Sequence, residues 1–215
     1  LFAPFYLTVC LAGLAAALIV PRLPPLRFKK DLYVDGTEPD KDAESVPEGK
    51  TLVSHSLDVA LAKARTTPGF AGTVKEGLHN AFDMVFAVLP VVMAVGTFAL
   101  IIAEYTPIFE YMGKPFVPFL ELLQVPEAEA AAQTIMVGFA DMFIPSILAA
   151  GSIESDVTRF IIAAMSVTQL IYMSEVGALL LGSKIPVNII ELFFIFILRT
   201  LVTLPVIVLM AHWLV

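Results

Sequence analysis

The sequence predicts an all-α protein that crosses a membrane several times and contains broken or re-entrant helices. Of its 215 residues, 58% are hydrophobic and 15% are charged, and the mean hydropathy is +0.86. Soluble domains have about 45–50% apolar and 25% charged residues, so this composition is typical of a membrane protein. Two apolar stretches, 133–146 and 166–177, each contain a carboxylate together with glycine or proline. The first stretch predicts a broken or re-entrant helix at membrane depth, and the second predicts a neighbouring helix that carries a carboxylate.

The first predicted element is a membrane-spanning helix over residues 1–20, an apolar run close to the roughly 20 residues that one crossing needs. This run begins without Met and without a basic leader, so we expect further helices upstream of it. Pro21 ends the helix, and four basic residues follow between Arg22 and Lys30. Basic residues beside a span mark the cytoplasmic side, so residues 21–80 are predicted to be a cytoplasmic linker.

The linker is predicted to contain one amphipathic helix. Residues 31–50 are polar and contain glycine and proline, which is typical of an exposed connection. Residues 52–64 then place four apolar residues on one helical face: Leu57, Ala60, Leu61 and Ala64. Two interpretations stay open for this helix. It lies on the membrane surface or against a partner, or it packs on its own protein as a short cytoplasmic helix.

Residues 81–215 are predicted to be the membrane domain. The segment 108–125 has too many charges and prolines to cross, so we interpret it as interfacial or re-entrant. The predicted membrane segments are 82–103, 130–150 with a break at Asp141, 157–181 as a full span, and 187–215 as the last span.

The segment 130–150 leaves two topologies open. If it enters the membrane and returns on the same side, Lys184 lies inside and the carboxyl terminus lies outside. If it crosses the membrane, both assignments reverse. Only Lys114 and Lys184 distinguish these topologies by the positive-inside rule, and we favour re-entrance.

Two carboxylates, Asp141 and Glu175, lie inside the apolar stretches. An ionised carboxylate in hydrocarbon costs several kcal/mol, about 3 on insertion scales, so both are expected to face protein or a wet cavity. On a continuous helix Thr168, Tyr172 and Glu175 share one face. We interpret this group as a solute or cation site, where broken helices direct backbone groups at a ligand. The predicted solute-binding residues are Asp141, Glu175, Gln133, Thr168, Gln169, Tyr172 and Ser174, the predicted helix-break residues are Gly138, Pro145 and Gly177, and Arg199 is predicted to balance charge.

A buried ion pair is the alternative interpretation of the same residues. Arg199 would pair with Asp141 or Glu175, and the pair would only fix helix packing. One pair leaves one acid over, and a broken helix adds little to packing, so the functional interpretation is favoured.

Other functions are less well supported by the sequence. There is one cysteine, and the three histidines are far apart, so no metal site, cofactor or enzyme active site is predicted. A metal importer is a weak third hypothesis, because only Met136, Met142 and Met173 offer soft ligands near the predicted breaks. The pI near 4.9 and the lack of a basic stripe exclude nucleic acid as an expected partner.

Residues 138–145, with the sequence GFADMFIP, and residues 166–177, with the sequence SVTQLIYMSEVG, resemble the YjiH-type bacterial membrane proteins that carry a nucleoside-recognition Gate domain. The stretches 103–108, 126–129 and 198–205 are also similar to that family, and the likeness covers residues 82–215. The resemblance implies a multi-pass protein of the bacterial cytoplasmic (inner) membrane. Gate domains are similar to one half of an inverted-repeat transporter, so it also implies a homo-oligomer or a second Gate-domain protein as partner.

Taken with the resemblance, the residues favour a component of a secondary transporter in the lipid bilayer. It would move a small polar solute, nucleoside-like or another metabolite, coupled to an ion through the buried carboxylates. The alternative is a membrane scaffold or sensor that does not transport and whose cytoplasmic loop binds a partner.

Overall fold

The computed structural model describes residues 2–30, 32–38, 51–66 and 69–214, and within these ranges it contains helices and turns without a strand. The prediction of an all-α protein is therefore confirmed for this part of the chain. Within the described residues, three helical stretches are long and apolar enough to cross a membrane: Phe2–Arg22, Asp156–Gly182 and Ile189–Leu214.

The chain divides into two compact units, and the division differs from the predicted boundaries at residues 20 and 80. One unit contains Leu1–Lys30 together with Val91–Val215, and the other is Asp31–Pro90. The first helix, α1 (Phe2–Ile19), belongs with the carboxyl-terminal part of the chain because it packs along the last helix, α10 (Ile189–Leu214).

The unit Asp31–Pro90 contains the predicted amphipathic helix. It is α2 (Leu52–Arg65), and the Thr51 side chain caps it by accepting a hydrogen bond from Ser54 N at 3.3 Å. No residue of α2 is buried. The next helix, α3 (Phe70–Tyr105), begins in this unit and contains the predicted span 82–103. Part of that span lies outside the described side chains, so its crossing of a membrane stays a prediction.

Residues 108–125 form short helices, and their predicted interfacial or re-entrant position in a membrane stays a prediction. Proline fixes the backbone and removes an amide donor, so these segments do not join into one long helix. The remaining helices of the described chain are α4 (Ile108–Gly113), α5 (Val117–Leu122), α6 (Ala128–Val137), α7 (Ile144–Ser152), α8 (Asp156–Thr168) and α9 (Ala178–Gly182).

Helices α6 and α7 form a hairpin whose base is closed by hydrogen bonds. The Glu127 carboxylate, which precedes α6, accepts from Glu154 N at 3.1 Å and from Ser155 N at 2.8 Å, just after α7. The Thr158 hydroxyl donates to Pro126 O at 2.8 Å. The start of α6 therefore lies beside the end of α7, and the break between them forms the tip. At about 1.5 Å per residue each arm is roughly half a bilayer long.

Another set of contacts joins the end of α1 to the beginning of α10. The Lys29 ammonium pairs with Glu191 Oε2 at 2.8 Å and also donates to Pro186 O. Helix α8 starts beside Glu127, and the chain then leads through α9 to the turn at Pro186. The stretch Asp156–Gly182, which is long and apolar enough to cross a membrane, connects these two sets of contacts.

The predicted continuous helix over 157–181 is wrong. Helix α8 ends at Thr168, Leu170 adopts a left-handed conformation with φ of 60°, and the chain resumes as a π-helical turn over Met173–Gly177. Thr168, Tyr172 and Glu175 therefore do not share one helical face. Residues 169–172 contain no glycine or proline. The hydrogen-bond partners that replace the lost helical bonds come from elsewhere in the chain, so the local sequence does not mark this break.

Candidate functional site

The two helix breaks are hydrogen-bonded to each other. The first break covers residues 138–143 between α6 and α7. The second break covers residues 169–172 together with the π turn over Met173–Gly177 that follows them. Met173 N donates to Phe139 O at 2.9 Å, and Ser174 N donates to Ala140 O at 3.1 Å. Backbone groups released from helices at membrane depth need partners in the protein or in water. Here each break supplies partners to the other, so the tip of the hairpin is held against the second break.

The first break is organised by Asp141. Its side chain is 3% exposed, and Oδ1 accepts hydrogen bonds from Phe143 N at 2.7 Å and Ile144 N at 3.3 Å. These contacts resemble those of a capping side chain, although Phe143 occupies the N-cap position of α7, and a negative charge is favoured at that end of a helix. Asp141 was predicted as a solute ligand, whereas one of its oxygens is engaged by its own backbone. The position of Pro145, in the first turn of α7, also differs from the prediction, because it starts a helix there.

Gly138 allows the second break to approach the end of α6. A Cβ atom at this position would overlap Gln169 Oε1 and would lie 2.9 Å from Ile135 O. Gly177 closes the π turn, where a Cβ atom would lie 2.8 Å from Met173 Sδ. Both glycines are therefore needed for close contact around the second break.

Gln169 connects the second break to two helices. Its side chain is fully buried, and Nε2 donates to Thr200 Oγ1 of α10 at 2.9 Å and to Ile135 O of α6 at 3.4 Å. Its Oε1 atom is buried without a hydrogen-bond partner among the described residues. Thr200 is a site residue that the sequence prediction did not include. Its signal was its place one residue after Arg199 in an otherwise apolar helix.

The second break carries the carboxylate that the fold leaves free. Glu175 is half-buried, and within the described part of the chain its side chain makes no hydrogen bond or ion pair. Its neighbour Ser174 is 1% exposed, and the Ser174 hydroxyl is also unpartnered there. Tyr172 is buried and donates its hydroxyl proton to Ser166 O, and the Thr168 hydroxyl donates to Ala164 O at 2.9 Å. The hydroxyl groups of two predicted ligands, Tyr172 and Thr168, thus already donate hydrogen bonds to backbone carbonyls of the protein.

Arg199 stabilises the second break through the backbone. Its Nη2 atom donates to Thr168 O at 2.8 Å, a carbonyl released where α8 ends. Among the described residues no carboxylate forms an ion pair with it, so neither Asp141 nor Glu175 makes the predicted charge-balancing contact. The buried-ion-pair interpretation therefore does not describe this arrangement.

Gln133 does not join the other predicted ligands. It lines a cavity of about 430 Å³ whose lining contains no residue of either break. The cavity lies between α4 and α6, and its lining residues are Glu110, Gly113, Lys114, Val117, Glu129, Ala130 and Gln133.

Comparison with known proteins places the chain beside one uncharacterized protein. No family model matches the chain, and no solved structure matches it. An uncharacterized protein of Alkalihalophilus pseudofirmus is 54% identical over 212 residues, which covers 99% of this chain and 45% of that protein. The chain therefore spans less than half the length of this relative.

Proposed function

We propose that the chain is the Gate-domain part of a secondary transporter that moves a small polar solute across a bacterial cytoplasmic membrane. The observation that supports it best is the pair of hydrogen-bonded helix breaks beside Glu175, a half-buried carboxylate with no described partner. A charge at membrane depth is costly, and an unpaired one is a functional site by default. Broken helices beside such a charge are the usual framework of a transport site.

The contacts at the two ends of the larger unit support a re-entrant hairpin. The basic residues after α1 mark that end as cytoplasmic. Lys29 binds Glu191 and Pro186, so the turn that contains Lys184 belongs to the same side. The hairpin base at Glu127 then faces outside. With this topology, residues 130–150 enter and return without crossing, and the carboxyl terminus lies outside.

The two carboxylates have different roles in this proposal. Asp141 holds the hairpin tip in shape as a cap, and Glu175 binds the coupling proton or cation. Ser174, next to Glu175 in the chain, and Gln169 in the same break offer buried oxygen atoms without described partners, and these oxygens bind the solute or the ion. A second Gate-type unit, from another copy or another protein, completes the pathway.

The proposal is tested with the full-length protein in proteoliposomes. A bacterial metabolite extract is offered outside, a proton or sodium gradient is imposed, and accumulated solutes are identified by mass spectrometry. We expect at least one small polar solute to accumulate, and Glu175→Gln to abolish its accumulation. Glu121→Gln, an exposed carboxylate on α5, serves as the control. If no solute accumulates under either gradient, or if Glu175→Gln accumulates solute like the control, the proposal is wrong.

A scaffold or sensor is the second candidate, and the exposure of α2 favours it. Leu52, Val53 and Leu57 are 59–77% exposed in a helix that buries no residue. Exposed apolar side chains on an amphipathic helix are typical of a partner-binding or membrane-surface segment. Deletion of residues 31–66 distinguishes the candidates. A transporter takes up solute both before and after the deletion. A scaffold shows no uptake in either case, and the deletion abolishes its function.

A further inference from the structure

The cavity that contains Gln133 is separate from the helix breaks and has the size of a small-molecule site. Its volume of about 430 Å³ falls within the range of about 300–1,000 Å³ that is typical of ligand pockets. It lies near the base of the hairpin, because Glu129 is two residues from Glu127, which closes that base.

Gly113 fixes the floor of this cavity. A Cβ atom at position 113 would lie 2.9 Å from Gln133 N and 3.0 Å from the Ala132 carbonyl carbon. The end of α4 thus touches the backbone of α6, and the side chains of both helices form the walls around that contact. The cavity is therefore part of the helix crossing itself.

The charged groups of the cavity leave one carboxylate available. Lys114 Nζ lies 3.1 Å from Glu110 Oε1 and 4.4 Å from the centre of the Tyr111 ring, so its charge is already paired. The side chains of Glu129 and Gln133 have no hydrogen-bond or ion-pair partner in the described part of the chain. They are four residues apart on α6, and both line the cavity, so a carboxylate and an amide are presented together.

The surroundings of the cavity are also acidic. Residues 106–129 and 153–159, which flank the hairpin base, contain six acidic and two basic residues. A cluster of one sign attracts ligands of the opposite charge and repels ligands of the same charge. The local field thus favours a cationic group over a phosphate or a carboxylate.

We propose that this cavity binds the protonated amine of a small polar solute, with Glu129 pairing with the ammonium group and Gln133 bonding a neighbouring polar atom. The inference extends the proposed function, because it assigns a charge to the solute. It also assigns a first binding step, at the outer end of the hairpin before the helix breaks.

The test measures binding of three probes to the full-length protein in nanodiscs by calorimetry. The probes are an aminoalcohol, a diol and a hydroxy acid of the same chain length, whose variable terminal group is positive, neutral or negative. We expect the aminoalcohol to bind more tightly than the diol, the hydroxy acid not to bind, and added salt to weaken the binding. Glu129→Gln should weaken aminoalcohol binding roughly fivefold, the effect of a partly exposed ion pair.

Control variants separate the cavity from the general charge of the protein. Glu121→Gln removes a neighbouring exposed carboxylate that does not line the cavity, so it should weaken aminoalcohol binding much less than Glu129→Gln does. Gln133→Leu should weaken binding of the aminoalcohol but should leave the preference for a cationic probe unchanged. The proposal is overturned if the diol binds as tightly as the aminoalcohol, or if Glu129→Gln binds like Glu121→Gln.

Failure of this inference can be told from failure of the proposed function. Aminoalcohol binding that depends on Glu129, without uptake of any solute, supports the cavity and contradicts the transporter. Uptake that is lost in Glu175→Gln but is indifferent to Glu129 and to solute charge supports the transporter and contradicts the cavity.

Discussion

The two helix breaks look alike in the sequence and differ in what their carboxylates do. Each lies in an apolar stretch with one acidic residue and a glycine. Asp141 is 3% exposed and accepts two backbone hydrogen bonds at the start of α7, whereas Glu175 is half-buried and free within the described chain. A short side chain three residues before the first residue of a helix reaches the exposed amides, and a longer one inside a π turn does not. The comparison indicates that a buried acid near a break serves either shape or chemistry.

The largest loss of stability is expected where the two breaks touch. Gly138→Ala should lower the free energy of unfolding by about 3 kcal/mol, because the new Cβ displaces the buried Gln169 side chain. Gly151→Ala is the matched control, since nothing lies within 4 Å of that position, and it should be neutral or slightly stabilising. Reversible unfolding in mixed micelles measures both. Equal effects for the two variants would mean that the breaks do not pack as described.

Asp141 is expected to come next, through its capping role. Asp141→Ala should cost about 2 kcal/mol, because Phe143 N and Ile144 N lose their acceptor. Asp141→Asn keeps a side-chain oxygen and should remain within about 0.5 kcal/mol of the wild type. The same unfolding assay compares the two variants. If Asp141→Asn loses as much stability as Asp141→Ala, the negative charge of Asp141 matters, and Asp141 has a role like that of Glu175.

Arg199 is expected to have a smaller effect. Arg199→Met removes the donor to Thr168 O and should cost about 1 kcal/mol. Because Arg199 makes no ion pair with Glu175, a double-mutant cycle with Glu175→Gln should give a coupling below about 0.5 kcal/mol. A coupling energy above about 1 kcal/mol would restore the buried-ion-pair interpretation of the two residues.

Glu175 itself is expected to have the smallest effect on stability. Glu175→Gln removes a charge that has no described partner, so the free energy of unfolding should change by less than about 0.5 kcal/mol or rise. Thermal unfolding of the purified protein checks this. Strong destabilisation would mean that the carboxylate holds the fold together, as Asp141 does.

The fold could be predicted from the sequence wherever the signal was local. Hydropathy and proline positions indicated the helices, and Gly138 with Asp141 indicated the first break. The second break could not be predicted, because residues 169–172 contain no glycine or proline. Its stability comes from Phe139 and Ala140 carbonyls and from Arg199, which are 30 or more residues away in the chain.

The candidate site was predicted in part for the same reason. The sequence identified the polar residues, but their roles depend on contacts between helices. Gln169 was expected to bind solute. Its Nε2 atom instead donates to Thr200 Oγ1 and Ile135 O, and only its Oε1 atom has no described partner. Gln133 was grouped with the breaks because it lies in the same apolar stretch as the first break. In the structure Gln133 instead lines the cavity beside the contact of Gly113 with α6, whose lining contains no residue of either break.

Uptake by Asp141→Asn and Glu175→Gln proteins, reconstituted side by side and assayed under an imposed proton or sodium gradient, tests the distinction between the two carboxylates most directly. We expect Asp141→Asn to retain most of the wild-type uptake and its dependence on the gradient. We expect Glu175→Gln to lose gradient-driven uptake while its stability is unchanged. The opposite pattern, with Asp141→Asn inactive and Glu175→Gln active, would contradict the assignment of Glu175 as the coupling group.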